Sequence, residues 1–297
     1  MFELIGRKKD NQIVITKQLC DDAIRLLEWG ESFIQATILK SSGSVPRGTG
    51  ACMLILRDGS IRGTVGGGAL EAGIIKASAS VMGNSTSRKI DMVLDGNDLV
   101  ATGMICGGSA TVLIEYIDVT PENLEIFKQW REQASVNNGT VYIFGAGHCG
   151  EKLAHVLYTV GFNTVVIDDR AEFANAERFP EADEILVPKS MDIPFGNIAF
   201  NTESYIVIVT RGHAQDELVL RGALRTEVGY IGMIGSKKKR DSIYARLLAD
   251  GYMQSDIDRV TSPIGIPIEA DTPEEIAVSI AAELIKLRAK WKANDLS

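Results

Sequence analysis

The stretch from Val141 to Gly150 reads VYIFGAGHCG, an apolar run that is typical of a buried strand and that stops at a cluster of glycines. Apolar residues then recur at the spacing of a helix face, at Leu153, Val156, Leu157 and Val160. Gly145, Gly147 and Gly150 therefore stand in a G-x-G-x-x-G pattern between a predicted strand and a predicted helix. In this pattern the first glycine permits a tight turn, the second lets a phosphate approach the backbone, and the third lets the helix pack closely on the strand.

A second predicted strand, residues 164–167, ends at the acidic pair Asp168 and Asp169. The pair lies about 20 residues after the glycines, where dinucleotide-binding folds place a carboxylate on the ribose. The N-terminus of the predicted helix offers unpaired N–H groups and the positive end of its dipole to a phosphate. Together these features favour a Rossmann-like domain that binds a nucleotide. The alternative is a glycine-rich turn from strand to helix with no ligand.

Length and composition indicate an ordinary globular protein, with 297 residues, 45 % hydrophobic residues and 24 % charged residues. The net charge of −8 and the lack of a sustained basic stripe argue against nucleic-acid binding. No apolar run is long enough to span a bilayer, and the first residues lack the apolar core of a secretory signal. The four cysteines form no C-x-x-C pair, so we expect a reducing, cytoplasmic location.

The order of the predicted elements divides the chain into two domains at the turn-forming residues 137–139. Residues 1–137 combine helices, a hairpin and glycine loops, which predicts an α+β domain with a mixed sheet. In residues 138–297 strands alternate with helices, which predicts a doubly wound parallel sheet with helices on both faces. The predicted fold class is therefore α/β, with a Rossmann-like, nucleotide-binding C-terminal domain.

Three glycine-rich loops follow predicted strands in the N-terminal domain, at residues 44–50, 66–71 and 103–108. Glycines permit turns that other residues cannot make, and they also let backbone N–H groups converge on an anion. Each loop taken singly is more simply a turn, but three in one domain favour anion binding. The candidate cofactor-binding residues in these loops are Arg47, Gly67, Gly68, Glu71 and Gly107, and the candidate metal ligand is Cys106.

Two of these side chains have a specific chemical role to offer. Arg47 could bind a phosphate through two parallel hydrogen bonds, because a guanidinium matches phosphate geometry. Cys106 lies in a glycine loop, where a thiolate could ligate a soft metal. The alternative for Cys106 is a small apolar side chain that only fills space, and the sequence weighs these two interpretations equally.

Open α/β sheets bind ligands at the carboxyl ends of their strands, so the loops after the C-terminal strands supply further candidates. The candidate cofactor-binding residues there are Gly145, Gly147, His148, Gly150, Asp168, Arg211, His213, Ser236 and Lys237. His213 could be a general acid–base group or a metal ligand, and a structural histidine is an equally weighted alternative. The three histidines are scattered, and the sequence has no serine nucleophile elbow and no P-loop lysine. We therefore assign no catalytic residue, since binding of a phosphate-bearing ligand is indicated more clearly than catalysis.

Several short motifs follow one another along nearly the whole chain, from about Leu19 to Leu287. They are Gly43–Arg47, Gly66–Glu71, Cys106–Gly108, Gly145–Gly150 with Asp168, Gly232–Lys237, Pro263–Gly265 and Thr272–Ala277. In this order they resemble the XdhC/CoxI family, whose members are accessory proteins that mature molybdenum hydroxylases of the xanthine dehydrogenase type. Two positions depart from the family pattern. Glu269 stands where many relatives have glycine, and the run 210–213 is less acidic than usual.

The resemblance implies a chaperone that binds the molybdenum cofactor, a molybdopterin. Such a chaperone holds the cofactor while a cysteine desulfurase supplies the sulfur that replaces an oxo ligand, and it then inserts the cofactor into the apo-hydroxylase. We also expect a homodimer, and the charge and hydropathy patterns predict no membrane or nucleic-acid partner. A nucleotide carried by the cofactor would give the Rossmann-like half its ligand.

Two other functions stay open on the sequence. An NAD(P)-dependent oxidoreductase would explain the pattern from Gly145 to Asp168 equally well, but it gives the N-terminal glycine loops and Cys106 no role. A sensor that binds a nucleotide and reports to a partner is the third class. Whether the protein is an enzyme is left open, and a cofactor-binding maturation factor is favoured.

Overall fold

The computed structural model of the protein describes residues 15–43, 47–94, 108–136, 138–192, 195 and 198–294. The chain divides into two compact units, Met1–Ala134 and Ser135–Ser297. The domain limits drawn from the sequence, 1–137 and 138–297, stay a prediction. Among the described residues, no helix is long and apolar enough to cross a membrane.

The described part of the first unit is built on a five-stranded sheet with helices packed against it. The helices are α1 (Lys17–Glu28), α2 (Gly68–Asn84) and α3 (Pro121–Val136), and the strands are β1 (Phe33–Gly43), β2 (Cys52–Ile55), β3 (Ile61–Gly63), β4 (Arg88–Leu94) and β5 (Gly108–Ile117). The strands lie in the order β3-β2-β1-β5-β4, and every described pair is antiparallel. The sheet therefore differs from the predicted mixed sheet. The reason is that β2 and β3 form a hairpin and β5 returns antiparallel beside β1.

Both faces of this sheet are covered, because side chains alternate along each strand. Ile34 and Ile38 of β1 belong to the apolar cluster that includes Ile74 of α2. Phe33 belongs to the cluster on the opposite face, which includes residues of α1 and β2. The centre of its ring lies 5.7 Å from the centre of the Phe127 ring on α3. The sheet is thus the centre of the first unit.

The hairpin between β2 and β3 forms at the predicted Asp-Gly turn. Gly59 has a φ of +83°, which glycine adopts at no steric cost. The backbone N–H of Ser60 donates a hydrogen bond of 2.8 Å to the Asp58 carboxylate, an Asx-type contact that closes the turn.

The second unit is a six-stranded sheet in which every described pair is parallel. Its strands are β6 (Thr140–Phe144), β7 (Asn163–Ile167), β8 (Glu184–Leu186), β9 (Ser204–Ile208), β10 (Tyr230–Met233) and β11 (Val260–Thr261), and its helices are α4 (His148–Thr159), α5 (His213–Ala223), α6 (Lys237–Ala249), α7 (Gln254–Ile257) and α8 (Pro273–Asn294). The order β11-β10-β9-β6-β7-β8 becomes 3-2-1-4-5-6 when it is read from the other edge and β6 is counted as the first strand. That is the strand order of Rossmann dinucleotide-binding domains, and the predicted fold class is confirmed.

Helices cover both faces of the parallel sheet, as the alternation of strands and helices predicts. Ile143 of β6 shares one apolar cluster with Leu153 of α4 and Leu284 of α8. The next residue, Phe144, points to the other face and shares a cluster with Leu247 of α6 and with residues of α5. Burying a side chain of this size contributes about 1.5–3 kcal/mol, so these contacts fix α4 directly after the glycine turn.

The last helix, α8, begins with the predicted capping box. The N–H of Glu275 donates to the Thr272 hydroxyl at 3.2 Å, and the Glu275 carboxylate accepts from the N–H of Thr272 at 3.1 Å. The two short elements before it, α7 and β11, were not predicted, because four and two residues are too few to show a period.

Glu269 adopts a left-handed backbone conformation, with a φ of +56°, which is rare for a residue other than glycine. A residue with a Cβ is strained in this conformation by about 1 kcal/mol. Glycine removes the strain, but its greater freedom in the unfolded chain offsets part of the gain in stability. We expect Glu269→Gly to raise the free energy of unfolding by about 0.5 kcal/mol in thermal or urea denaturation. Glu269→Ala is the control, because it removes the carboxylate but keeps the Cβ. A glycine variant no more stable than the alanine variant would contradict this explanation.

Candidate functional site

The glycine turn after β6 is built so that two of its glycines cannot be replaced. Gly145 has a φ of +124°, and a Cβ placed on it would lie 2.3 Å from the carbonyl oxygen of Val209, at the end of the neighbouring strand β9. A Cβ on Gly150 would lie 1.9 Å from the carbonyl oxygen of Gly145. Both contacts are far inside van der Waals distance. The first and third glycines of the pattern therefore serve the tight turn and the close approach of α4 to the strand, as the sequence predicts.

Gly147, the second glycine of the pattern, has different surroundings. Its φ of −74° is ordinary, and no atom of the described residues lies within 4 Å of the position where a Cβ would stand. It is the N-cap of α4, and no described side chain caps this helix end. An open approach and uncapped N–H groups at a helix N-terminus suit an anion. Glycine is thus not required at 147 by packing, and the position is open to the ligand approach that the pattern predicts.

A second helix begins in the same way beside the first. Gly212 is the N-cap of α5, and in the described part of the chain no side chain caps this end and no atom lies within 4 Å of a Cβ built on it. The strands β6 and β9 that precede α4 and α5 are neighbours, and the strand order reverses between them. In open α/β sheets such a switch point is where ligands bind. The structure therefore brings the N-termini of α4 and α5, which both begin after a glycine, to the same edge of the sheet.

Asp168 follows β7 at this edge and is buried, with 3 % of its surface exposed. One carboxylate oxygen accepts from the backbone N–H of Ala146 at 2.8 Å, inside the glycine turn. The side chain of Arg170 donates to both oxygens, each at 2.8 Å. Burial raises the pKa of the Asp168 carboxyl, but the hydrogen bonds from Arg170 and Ala146 outweigh burial and the pKa lies below its ordinary value. Asp168 thus holds the turn in place, and both of its carboxylate oxygens already accept hydrogen bonds from the protein.

Arg178 also supports the turn, although no sequence pattern indicated it. Its guanidinium donates to the carbonyl oxygens of Ala146 at 2.8 Å and Phe173 at 3.0 Å, and it pairs with Glu151 in the first turn of α4. The Arg170 guanidinium lies 3.8 Å from the centre of the Phe173 ring. In the sequence, Arg170 and Arg178 stand eight residues apart after the acidic end of β7. This spacing matches neither a helix nor a strand period, so it does not predict that both side chains contact the turn.

The remaining predicted residues of the second unit are mostly exposed. His148 and His213 occupy the first positions of α4 and α5, with their side chains exposed at the carboxyl edge. Arg211 is exposed and pairs with Asp169 at 3.0 Å. Ser236 acts as the N-cap of α6, since its hydroxyl accepts from the N–H of Lys239. Lys237 is exposed beside it.

A buried ion pair connects the loops after β9 and β10. The carboxylate of Asp216, which is fully buried, pairs with the ammonium of Lys239, and Lys239 also donates to the carbonyl oxygen of Ile234 at 3.1 Å. The other oxygen of Asp216 accepts from the N–H and the hydroxyl of Thr210, at 3.2 and 2.6 Å. The pair therefore fixes the loop that carries Arg211. Sequence reasoning missed it, because Lys239 lies in a run of three lysines that resembles a solvated surface.

In the first unit, Glu71 folds back onto its own glycine loop. One of its oxygens accepts from the hydroxyl of Thr64 and from the backbone N–H groups of Val65 and Gly67. Burial raises the pKa of Glu71, but these hydrogen bonds outweigh burial and the pKa is lowered. Gly67 and Gly68 have φ values of +79° and +57°, so the turn requires glycine-like conformations at both positions. Glu71 thus shapes the loop.

The other predicted residues of the first unit divide into described and undescribed ones. Arg47 is exposed, whereas Cys106 and Gly107 lie outside the described residues. Cys20 and Cys52 are buried, and burial raises the pKa of each thiol to about 12, so both stay protonated and unreactive. Within the described ranges, no group of three His, Cys, Asp or Glu side chains is placed to hold a metal ion.

Comparisons with known proteins match both units. The model of the XdhC and CoxI family matches residues 26–94, and the model of the XdhC Rossmann domain matches residues 141–284. A crystal structure described as a xanthine dehydrogenase from Bacillus halodurans is 26 % identical, with a TM-score of 0.68 over 90 % of this chain and 96 % of that one.

Curated relatives align over most of the chain. YqeB, an uncharacterized protein of Escherichia coli strain K12, is 28 % identical over 90 % of this chain, which spans only 46 % of its length. A Bacillus subtilis strain 168 protein, described as a probable xanthine dehydrogenase subunit, is 24 % identical over 89 % of this chain and 96 % of its own. The molybdenum cofactor insertion chaperone PaoD of Escherichia coli strain K12 is 21 % identical over 90 % and 86 % of the two chains.

The two family models cover β1 to β4 of the first unit and the glycine turn, acidic strand end and switch point of the second. The chain belongs to the XdhC and CoxI family.

Proposed function

We propose that this protein is a maturation factor that binds the molybdenum cofactor and delivers it to an apo-molybdenum hydroxylase of the xanthine dehydrogenase type. The cofactor is cargo that the protein holds and passes on. Replacement of an oxo ligand by sulfide, with a cysteine desulfurase as sulfur donor, would take place while the cofactor is held. We include a homodimer in the proposal as the assembled form.

The observation that carries the proposal is the open glycine turn at the switch point of the second unit. A Cβ built on Gly147 would meet no described atom within 4 Å beyond its chain neighbours, and the same holds for Gly212 at the neighbouring helix end. Molybdopterin carries a phosphate, and its nucleotide form carries a second one. Two uncapped helix N-termini side by side give a pyrophosphate group two sets of N–H donors. The site therefore suits the phosphate-bearing end of the cofactor.

The relatives support the choice of this ligand over other nucleotides. One aligned relative is a molybdenum cofactor insertion chaperone, and another is described as part of a probable xanthine dehydrogenase. One name concerns insertion of the molybdenum cofactor and the other concerns xanthine dehydrogenase. The side chains at the turn fit such a role, since Asp168, Arg170 and Arg178 are engaged in holding the backbone. A carrier needs a fixed binding surface more than it needs a free acid–base pair.

The direct test is to isolate the protein from a host that makes molybdopterin and to measure what it carries. We expect molybdenum by elemental analysis and a pterin by mass spectrometry, in about equal amounts, and activation of a purified apo-hydroxylase by the loaded protein. The NAD(P)-dependent oxidoreductase remains the alternative, because its ligand would use the same turn. Bound NAD(P) with hydride transfer to a small substrate, and no pterin, would replace the present proposal with that one.

Cys106 supplies a sharper test, since a thiolate is a ligand that molybdenum accepts. We expect Cys106→Ser to fold normally, to lose most of its retained molybdenum, and to fail to activate the apo-hydroxylase. Cys52→Ala is the control, because Cys52 is a buried, protonated thiol on β2. Full cofactor retention and full activation by Cys106→Ser would restrict the site to the glycine loops.

A further inference from the structure

The ion pair between Arg211 and Asp169 spans the end of β6. Arg211 follows β9 and Asp169 follows β7, and these two strands are the neighbours of β6 on either side. Neighbouring strands lie about 4.8 Å apart, so the pair bridges a gap of roughly 10 Å. The glycine turn lies at the end of the strand between them. The two side chains, joined at 3.0 Å, therefore meet over the turn to which the proposed function assigns the phosphate.

Asp168 and Asp169 differ in what their oxygens can still accept. Asp168 is 3 % exposed, and it receives hydrogen bonds from Ala146 and from both the backbone and the side chain of Arg170. Asp169 has 18 % of its side chain exposed, and its ion pair with Arg211 uses one oxygen. Its other oxygen lies 4.0 Å from Arg170, beyond hydrogen-bond distance. Of the two carboxylates at the ribose position, Asp169 is the one with accepting capacity toward solvent.

We infer that Asp169 accepts the ribose hydroxyls of the bound nucleotide and that Arg211 contacts its phosphate, so that the ligand replaces their ion pair. The inference rests on the proposed function and names the groups that select its ligand. A carboxylate is an acceptor-only group that suits a diol, and a guanidinium fork suits a phosphate. Side chains exposed by 43 % and 18 % form a pair that contributes little in water, so exchanging it for ligand contacts costs little.

The ligand class that follows is a ribonucleotide with a free 2′-hydroxyl. The ribose-binding role that the sequence predicts for Asp168 passes to its neighbour, and Asp168 keeps the turn in shape. Because Arg170 neutralises Asp168, any preference for an unphosphorylated ribose depends on Asp169.

The test compares ribonucleotides with their 2′-deoxy forms by calorimetry on the full-length protein. ADP with 2′-deoxy-ADP and CDP with 2′-deoxy-CDP are the probes. For the wild-type protein we expect the deoxy form of the nucleotide that binds to be about tenfold weaker, the effect of one charge-assisted hydrogen bond. Asp169→Ala should weaken the ribonucleotide by about the same factor and make the two forms equal.

Arg211→Gln separates the two roles. It should weaken both the ribonucleotide and the deoxynucleotide by about tenfold and preserve the ratio between them, because it removes a phosphate contact. Arg246→Gln is the matched control. Arg246 pairs with Glu217 between α6 and α5 with comparable exposures of 48 % and 16 %, and it should leave all affinities unchanged.

The outcomes separate this inference from the proposed function. Equal affinity of the wild-type protein for ribose and deoxyribose forms, or a ratio that survives Asp169→Ala, overturns the role of Asp169 and leaves nucleotide binding intact. If neither ADP nor CDP binds to the wild-type protein, the nucleotide-binding part of the proposed function fails with it. A preference for ribose over deoxyribose that is lost in Asp169→Ala, and kept in the other variants, supports the contact of Asp169 with the ribose.

Discussion

Gly147→Val is expected to abolish binding of nucleotides and of the molybdenum cofactor while the second unit folds normally. The backbone at this position has a φ of −74° and a ψ of −172°, which valine adopts readily, and no atom of the described residues lies within 4 Å of the new Cβ. The branched side chain would stand where a phosphate must approach the N–H groups of α4. We expect affinity to fall by at least about a hundredfold, since several charge-assisted hydrogen bonds are lost together.

Gly150→Ala is the contrasting variant in the same turn. Its Cβ would lie 1.9 Å from the carbonyl oxygen of Gly145, so α4 must move away from the strand. We expect a loss of about 3 kcal/mol or more in the free energy of unfolding, or failure to fold, as severe overpacking produces. Circular dichroism and thermal denaturation measure folding, and calorimetry with ADP, CDP or isolated cofactor measures binding. A folded Gly147→Val protein with unchanged affinity would show that the phosphate does not bind at this turn.

The sequence contains enough to predict this turn because its three glycines are local. Strand, turn and helix lie within 20 residues, and the pattern itself encodes the steric reasons for glycine at 145 and 150 and the open position at 147. The capping box at Thr272 and the hairpin at Gly59 were predictable for the same reason. Each depends on hydrogen bonds between residues only a few positions apart. Local geometry is the part of a fold that a single sequence reports most directly.

What the sequence could not supply are the pairings between distant segments. The order of six parallel strands depends on which strands hydrogen-bond, and hydrophobic periodicity is the same for any order. The same holds for the first unit, where the antiparallel arrangement of β1 and β5 replaces the expected mixed sheet. Asp168 was correctly placed at the end of a strand, but its capture by Arg170 depends on a loop conformation that no spacing rule contains.

The candidate residues divide along the same line. The spacing predicts the glycines that line the turn and the acidic pair after β7, whereas Arg178 and Lys239 appear at the site only through tertiary contacts. Glu71 has a structural role that its motif did not indicate. One of its oxygens accepts hydrogen bonds from three groups of its own loop, and its predicted contact with a ligand stays a prediction. A conspicuous residue in a glycine loop can thus owe its position to the loop itself.

Asp216→Ala is expected to destabilise the second unit by about 3–5 kcal/mol, because it leaves a buried ammonium without its counter-charge. Asp216 is fully buried and pairs with Lys239, whose side chain is only 12 % exposed. The variant also removes the acceptor for the N–H and hydroxyl of Thr210. Since Thr210 precedes Arg211, we expect nucleotide affinity to fall as well, even in the fraction that stays folded.

A double-mutant cycle in urea denaturation separates the pair from its surroundings. Lys239→Met keeps most of the packing volume but leaves the carboxylate of Asp216 buried, so it should also cost several kcal/mol. The double variant Asp216→Ala/Lys239→Met should be less destabilised than the sum of the two, because it removes both charges. Lys152→Ala is the control for an exposed pair, since Lys152 and Glu274 are 42 % and 61 % exposed, and it should cost less than about 1 kcal/mol. Additive losses in the cycle would mean that Asp216 acts through Thr210 alone, and the tie between the loops after β9 and β10 would then have no energetic basis.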